Sequence, residues 1–305
     1  WVLKPKPNPS SVELLVKEVT LPLPLANILA ERGVDTFEKA KNFFRPTLES
    51  LYDPYLMQDM DKAVERILKA IDSEENILVY GDYDVDGTTS VAMMYDFLKS
   101  IYPNVSYYIP DRYSEGYGIS TQGIDYADDN DISLIVALDC GIKAIDKVSY
   151  ANEKNIDFII CDHHLAGEIL PDAVAVLDPK RPDCNYPFKE LSGCGVGFKL
   201  IQALAEKLNI EKEIVFEYLD LAVVSIAADI VPIVDENRTL AHFGLEKLRN
   251  SPRIGLASLT GEAQLKRADI SSIVFSIAPK INATGRLQHA SQSVELLISQ
   301  NPEKI

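Results

Sequence analysis

Apolar residues recur along this chain with two different periods. Over residues 60–71, Met60, Ala63, Val64, Ile67, Leu68 and Ile71 fall at helical spacing, which predicts an amphipathic helix capped by Asp59 or Asp61. From residue 76 the pattern changes to short, uninterrupted apolar runs, each followed by a helical stretch: strand 77–80 and helix 89–100, strand 105–109 and helix 121–128, strand 134–138 and helix 143–155, then strand 158–161. Runs that are apolar at every position are buried on both sides. A helix after each one predicts an α/β fold, a parallel sheet with helices on both faces. Chemistry is expected at the carboxyl ends of those strands.

On either side of this core the pattern is helical. Residues 1–58 give short helices at 25–32 and 36–44, separated by Pro22, Pro24, Pro46 and Pro54, and read as an N-terminal helical arm. Beyond the strands, a helix opens at Ser192-Gly193-Cys194 and runs to 208, and a strongly apolar one covers 217–230. The C-terminal part is therefore mainly helical. A catalytic domain is expected over 59–290, with 291–305 starting a helix toward a domain that is absent. That barely started helix and a first residue other than Met predict a fragment.

Composition narrows the class. The chain has 305 residues, 47% of them apolar, and no apolar run approaches the ~20 residues of a membrane span. A cytoplasmic protein is the expectation. Cys140, Cys161, Cys184 and Cys194 form no Cys-x-x-Cys pair, so neither a zinc knuckle nor a disulfide framework is suggested. With 46 acidic against 30 basic residues the net charge is −16, which argues against broad, non-specific polyanion binding. A phosphate substrate would need metals and a few placed arginines.

Three strand ends carry candidate ligands. After the first come Asp82, Asp84 and Asp86, alternating ahead of Gly87; after the third, Asp139-Cys140-Gly141; after the fourth, Asp162-His163-His164. Like charges this close repel, and hard divalent ions such as Mg²⁺ or Mn²⁺ favour carboxylate oxygens. A solvated, helix-capping acidic turn would explain one such end but not three on one sheet edge. One of the adjacent histidines could bind metal while the other meets substrate, with Asp162 orienting a ring. Asp229, in an apolar helix, is costly to bury unless hydrogen-bonded or ligating a cation. In the loop 110–119, Arg112 suits a phosphate and Tyr113 or Tyr117 could stack on a base, although a plain surface loop fits as well. Asn282 and Arg286, within 278–287, could reach phosphate or belong to a linker. The glycines of 193–197 are better explained by close helix packing than by a phosphate loop.

Taken together, Gly81-Asp82-Tyr83-Asp84-Val85-Asp86-Gly87, Asp139-Cys140-Gly141, Asp162-His163-His164 and Ala228-Asp229-Ile230-Val231-Pro232 resemble, in order and spacing, the four motifs of the DHH phosphoesterase superfamily. Residues 113–118, 193–199 and 282–286 narrow the resemblance to its RecJ branch of single-stranded-DNA-specific 5′ to 3′ exonucleases. The resemblance implies a two-metal phosphodiesterase using Mn²⁺ or Mg²⁺ in DNA repair and recombination. Asp82, Asp84 and Asp139 would hold one ion and Asp86, Asp139, His163 and Asp229 the other, with Asp139 shared. Catalysis would rest on Asp139, His163 and His164; His164 would contact the phosphate, and Arg112 and Arg286 would grip the substrate. Many superfamily members have a histidine where this chain has Tyr80, so the resemblance implies that Asp82 would take over that ligand role. Single-stranded DNA is the implied partner, with a single-strand-binding protein and a helicase beside it. Three other readings stay open: a dehalogenase-type phosphatase with Asp84 as nucleophile, a DHH enzyme cutting short oligonucleotides or cyclic dinucleotides, and a metal-free binding module.

Overall fold

A computed structural model describes residues 2–287 and 290–301. Five parallel strands, β1 (Asn76–Gly81), β2 (Val105–Tyr108), β3 (Ile132–Leu138), β4 (Asp157–Cys161) and β5 (Ala175–Leu177), form one sheet in the order β2-β1-β3-β4-β5. β5, three residues long, is too short to leave a period in the sequence.

Alternate strand residues serve opposite faces. Ile77, Val79, Val136, Leu138, Ile159 and Leu177 enter a large core with helices α4 (Met60–Asp72), α5 (Val85–Ile101) and α8 (Gly193–Lys207). Leu78, Tyr80, Ile135, Ala137, Phe158 and Ile160 enter a second core beneath α6 (Thr121–Asp129) and α7 (Ile145–Glu153). The sheet is thus an α/β one, covered on both sides.

The N-terminal segment has a small core of its own, Val12, Leu15, Ala26, Leu29, Val34 and Ala40, from α1 (Pro9–Glu18), α2 (Leu23–Glu31) and α3 (Phe37–Phe44). α1 was not expected from a Pro- and Lys-rich start; Asn8 caps it by accepting the Ser10 amide. Behind the sheet follow α9 (Lys212–Phe216), α10 (Leu219–Ala228) and α11 (Asp235–Asn250), then α12 (Ile254–Thr260), α13 (Glu262–Leu265), α14 (Ile270–Ser272), α15 (Ala278–Leu287) and α16 (Ser291–Ile298). No helix among the described residues is long and apolar enough to cross a membrane.

Three local expectations are corrected. α5 starts at Val85 rather than 89, because Asp84 Oδ1 accepts the Gly87 amide at 2.9 Å and opens the helix as its cap. Residues 278–287 are a helix, preceded by a π-helical turn at Ile273–Ile277, rather than a turn-rich connection. Asp59 does not cap α4: its backbone is left-handed (φ 65°), and its carboxylate takes Arg181 at 2.6 Å and Lys62 at 2.7 Å.

Candidate metal centre

The strand register aligns the acids. Gly81, Leu138, Cys161 and Leu177 pair successively across β1, β3, β4 and β5. Asp82, Asp139, Asp162 and Asp178 are the next residues, so they form a row along the carboxyl edge at strand spacing, roughly 4.8 Å. The Asp139 amide still reaches Cys161 O (2.8 Å) and the Asp162 amide Leu177 O (3.0 Å). Asp178 was not singled out from the sequence.

Four ligand-type side chains meet above this row. His163 Nε2 lies 3.2 Å from Asp139 Oδ1, 3.6 Å from Asp229 Oδ2 and 3.8 Å from Asp86 Oδ2. Asp139 Oδ1 and both ring nitrogens of His163 are buried without a hydrogen-bond partner. Buried polar atoms are rarely left so, and three of them among carboxylates match the donor set of a divalent cation. Asp139 has a left-handed backbone (φ 58°), which Asp tolerates better than most residues.

The electrostatics reflect the crowding. Burial, then Asp86 and Asp84, push the Asp139 carboxyl well above its usual range. Burial and the same two neighbours raise Asp229 to about 7. Burial, with Asp84 adding to it, raises Asp82 to about 7. Burial lowers His163 and favours the neutral ring that a metal ligand needs. His164 differs: its Nδ1 lies 2.8 Å from Asp162 Oδ1, and that hydrogen bond raises its pKa. Asp162 is buried, yet His164 and the Ile142 amide hold it below the usual carboxylate range. Asp162 therefore orients His164, whose ring lies partly exposed beside Asp139 and His163.

Asp82 and Asp84 stand beside the cluster with their oxygens engaged. Asp82 accepts the Tyr83 amide (2.6 Å) and the Gly118 amide (2.8 Å); Asp84 Oδ2 lies 3.4 Å from the Tyr117 hydroxyl. Among the described residues, the groups whose ligand atoms lie within 4.8 Å of one another are Asp139–His163–His164 and Asp86–His163–Asp229. Tyr80 turns away: its hydroxyl donates to Gly118 O at 2.9 Å and its ring stacks on Tyr108.

Asp86 is the most tightly held acid. Its Oδ2 accepts the Gly193 amide (2.8 Å), and its Oδ1 accepts the Cys194 amide (2.8 Å) and the Ser225 hydroxyl (2.7 Å). The first turn of α8 thus cradles a carboxylate. Gly193 is needed there, because a Cβ would lie 2.5 Å from Asp139 Cβ and 2.6 Å from its Oδ1.

A cavity of about 420 Å³ opens onto the cluster, lined by Asp84, Asp86, Asp229, Val274, Ala278 and Asn282. It brings Asn282 to the acids; Arg286 is in α15, but its side chain lies outside the described residues. The loop 110–119 folds toward Asp82 and Asp84. In it Arg112 stacks on Tyr83 at 4.8 Å, Tyr117 meets Tyr83 edge-on at 5.6 Å, and Tyr113 is 78% exposed. Lys180, after β5, was missed in the sequence: its charge acts on both His163 and Asp229, and its Nζ lies 3.7 Å from Glu190. A strand end followed by Asp178-Pro179-Lys180 was the available signal.

Residues 76–226 match the DHH family, N-terminal domain. The chain is 41% identical over 303 residues to the single-stranded-DNA-specific exonuclease RecJ of Bacillus subtilis, covering 99% of this chain and 38% of that protein's length. Similar solved structures include exonuclease RecJ bound to manganese (TM-score 0.75, 31% identity, 85% of this chain and 64% of that one). Another is RecJ of Thermus thermophilus in complex with Mn²⁺ (TM-score 0.79, 26% identity, 98% and 43%). The chain thus spans well under two thirds of the Bacillus protein. The matched residues 76–226, which hold the whole sheet, its row of aspartates, α8 and all but the last two residues of α10, form a DHH-family N-terminal domain.

Proposed function

We propose that this chain is the catalytic part of a metal-dependent exonuclease that hydrolyses phosphodiester bonds of single-stranded DNA from the 5′ end. The observation that carries the reading is the convergence of unpartnered, buried Asp139 Oδ1 and His163 ring nitrogens with Asp86 and Asp229. Asp86, Asp139, His163 and Asp229 would hold one Mn²⁺ or Mg²⁺; Asp82 and Asp84, with Asp139 shared, would hold a second. When bound, such ions acidify a water, orient it toward phosphorus and neutralise charge on the leaving oxygen.

The remaining roles belong to the chain itself. His164, its Nδ1–H donating to Asp162, presents Nε2–H to a phosphate oxygen in its protonated form, which the Asp162 hydrogen bond favours. Arg112 offers a guanidinium at the β2 end of the same edge, and Asn282 an amide from the cavity wall. Tyr113 and Tyr117, 78% and 55% exposed, offer ring faces to bases, which stack with little sequence preference. Arg286 completes the proposed grip. Residues 1–58 are proposed as the arm, 59–290 as the catalytic domain and 291–305 as the lead into a further domain. The proposed setting is cytoplasmic DNA repair and recombination, with a helicase and a single-strand-binding protein supplying the strand.

The test is degradation of 5′-labelled single- and double-stranded DNA with Mn²⁺ or with chelator. Release of mononucleotides from the single strand, with Mn²⁺ only and not by Asp139→Ala, supports the proposal. Cleavage confined to dinucleotides, or unaffected by Asp139→Ala, overturns it.

A further inference from the structure

We infer that Ser225 is a positioning residue of the metal centre, acting through Asp86; this rests on the metal-centre reading above. Ser225 is fully buried in α10, four residues before Asp229, and its carbonyl accepts the Asp229 amide at 2.9 Å. One helical turn therefore fixes two acids, Asp229 through the backbone and Asp86 through a hydroxyl.

Hydrogen counting sets the direction. Ser225 Oγ lies 2.7 Å from Asp86 Oδ1 and 2.6 Å from Ser192 Oγ, but a hydroxyl has one proton. The carboxylate is the stronger acceptor, so Ser225 donates to Asp86. Ser192 Oγ already accepts the Gly195 amide as the α8 cap and has its own proton left for Ser225. The result is a relay of two hydroxyls from the start of α8 to Asp86. Together with the Gly193 and Cys194 amides it takes up the inner lone pairs of Asp86, and Oδ2 stays 3.8 Å from His163 Nε2. Without Ser225, Asp86 keeps the Gly193 amide on Oδ2 and the Cys194 amide on Oδ1, both from the first turn of α8, and the Ser90 hydroxyl stands farther off at 3.4 Å. The carboxylate can then tilt about those two amides, and its aim toward His163 and Asp229 is loosened. Partners that orient metal ligands in this way typically set affinity by about 10- to 100-fold.

The test is calorimetric titration of the whole chain with Mn²⁺, with thermal unfolding run alongside, on the unsubstituted protein, Ser225→Ala, Ser225→Cys and Thr239→Val. Ser225→Cys keeps the side chain's shape with a poor donor, and reads the effect should Ser225→Ala not fold. Thr239→Val removes another buried hydroxyl, that of Thr239 in α11, which lies 3.3 Å from Ser50 Oγ. The expected result is Mn²⁺ affinity lowered about 10-fold or more in the Ser225 variants that unfold cooperatively, and unchanged in Thr239→Val. Unchanged affinity in both Ser225 variants, or equal weakening in Thr239→Val, would overturn the inference. No Mn²⁺ uptake by the unsubstituted chain would overturn the metal-centre reading itself.

Discussion

Replacing Asp178 by Asn should stabilise the metal-free protein, and increasingly so as pH rises. Asp178 is fully buried at the end of the aspartate row. Its Oδ1 accepts the Lys180 amide at 2.7 Å, and its Oδ2 has no partner. Burial, with Asp162 adding to it, raises its pKa from 3.8 to about 7, against the opposing pull of the Lys180 amide and of the Lys180 and Arg181 charges. Between those values the folded state binds more protons than the unfolded chain, so stability falls as pH rises and levels off above about 7. Integrating across that window gives a cost on the order of 2 kcal/mol at pH 5 and 4 kcal/mol at pH 8. Asn keeps the acceptor for Lys180 without the charge, so the advantage of Asp178→Asn should widen by about 2–3 kcal/mol between the two conditions. Urea unfolding followed by circular dichroism, with chelator present at pH 5 and pH 8, measures this directly. Contributions from acids that do not act on Asp178 cancel because both proteins carry them. An advantage that is constant or shrinks from pH 5 to pH 8 would refute the reasoning and mean that the ionised carboxylate has a cationic partner.

Further outcomes follow from the same geometry. Asp139→Asn removes a crowded, unpartnered carboxylate; it should raise metal-free thermal stability at pH 8 and abolish stabilisation by Mn²⁺, as read by scanning fluorimetry with and without the ion. Gly193→Ala puts a methyl 2.5 Å from Asp139 Cβ, so it should cost about 1–3 kcal/mol in urea unfolding and weaken Mn²⁺ binding; normal values of both would count against the packing described. Mn²⁺ at about 100 times its dissociation constant should add about 2.7 kcal/mol to unfolding, an effect that Ca²⁺-free buffer with chelator removes. Arg112→Ala and Tyr113→Ala should raise KM for single-stranded oligonucleotides while leaving the calorimetric Mn²⁺ affinity unchanged, since Arg112 stacks on Tyr83 and Tyr113 is 78% exposed.

What the sequence made legible was whatever lies next to a strand end. A buried parallel strand shows itself as a continuous apolar run, and the residue that stops the run marks the carboxyl edge. Asp82, Asp139 and the Asp162-His163-His164 stretch could therefore be placed together before any coordinates. Asp229 could be picked out because a lone acid in an apolar helix needs a reason. Where the helix after β1 begins was less visible, since Asp84 serves as its cap and puts Asp86 inside the first turn. An alternating row of acids looks the same whether it lies in a loop or enters a helix. β5 was hidden because three residues carry no period, and Asp178 was hidden with it.

The partners of Asp86 were illegible for a different reason. Gly193 is 107 residues from Asp86 and Ser225 is 139, and they meet it only because α8 and α10 both pack on α5 behind the sheet. Nothing local distinguishes a glycine that must approach a carboxylate from one that lets a helix pack closely; Gly193 does both. The same crossing explains how a chain with net charge −16 tolerates so many buried acids. Few side-chain cations are spent at the centre. Instead Asp86 is held by amides and a hydroxyl, Asp162 by the His164 ring and three amides, and Asp82 by two amides. Neutral donors can fix a carboxylate's direction without cancelling its charge, and Asp139, which has none on Oδ1, is left facing His163 with that charge unmet. An arginine in the same place would have neutralised the cluster and closed it to ions. The absence of such a pair among the described residues at this centre is what makes a divalent cation the fitting counter-charge.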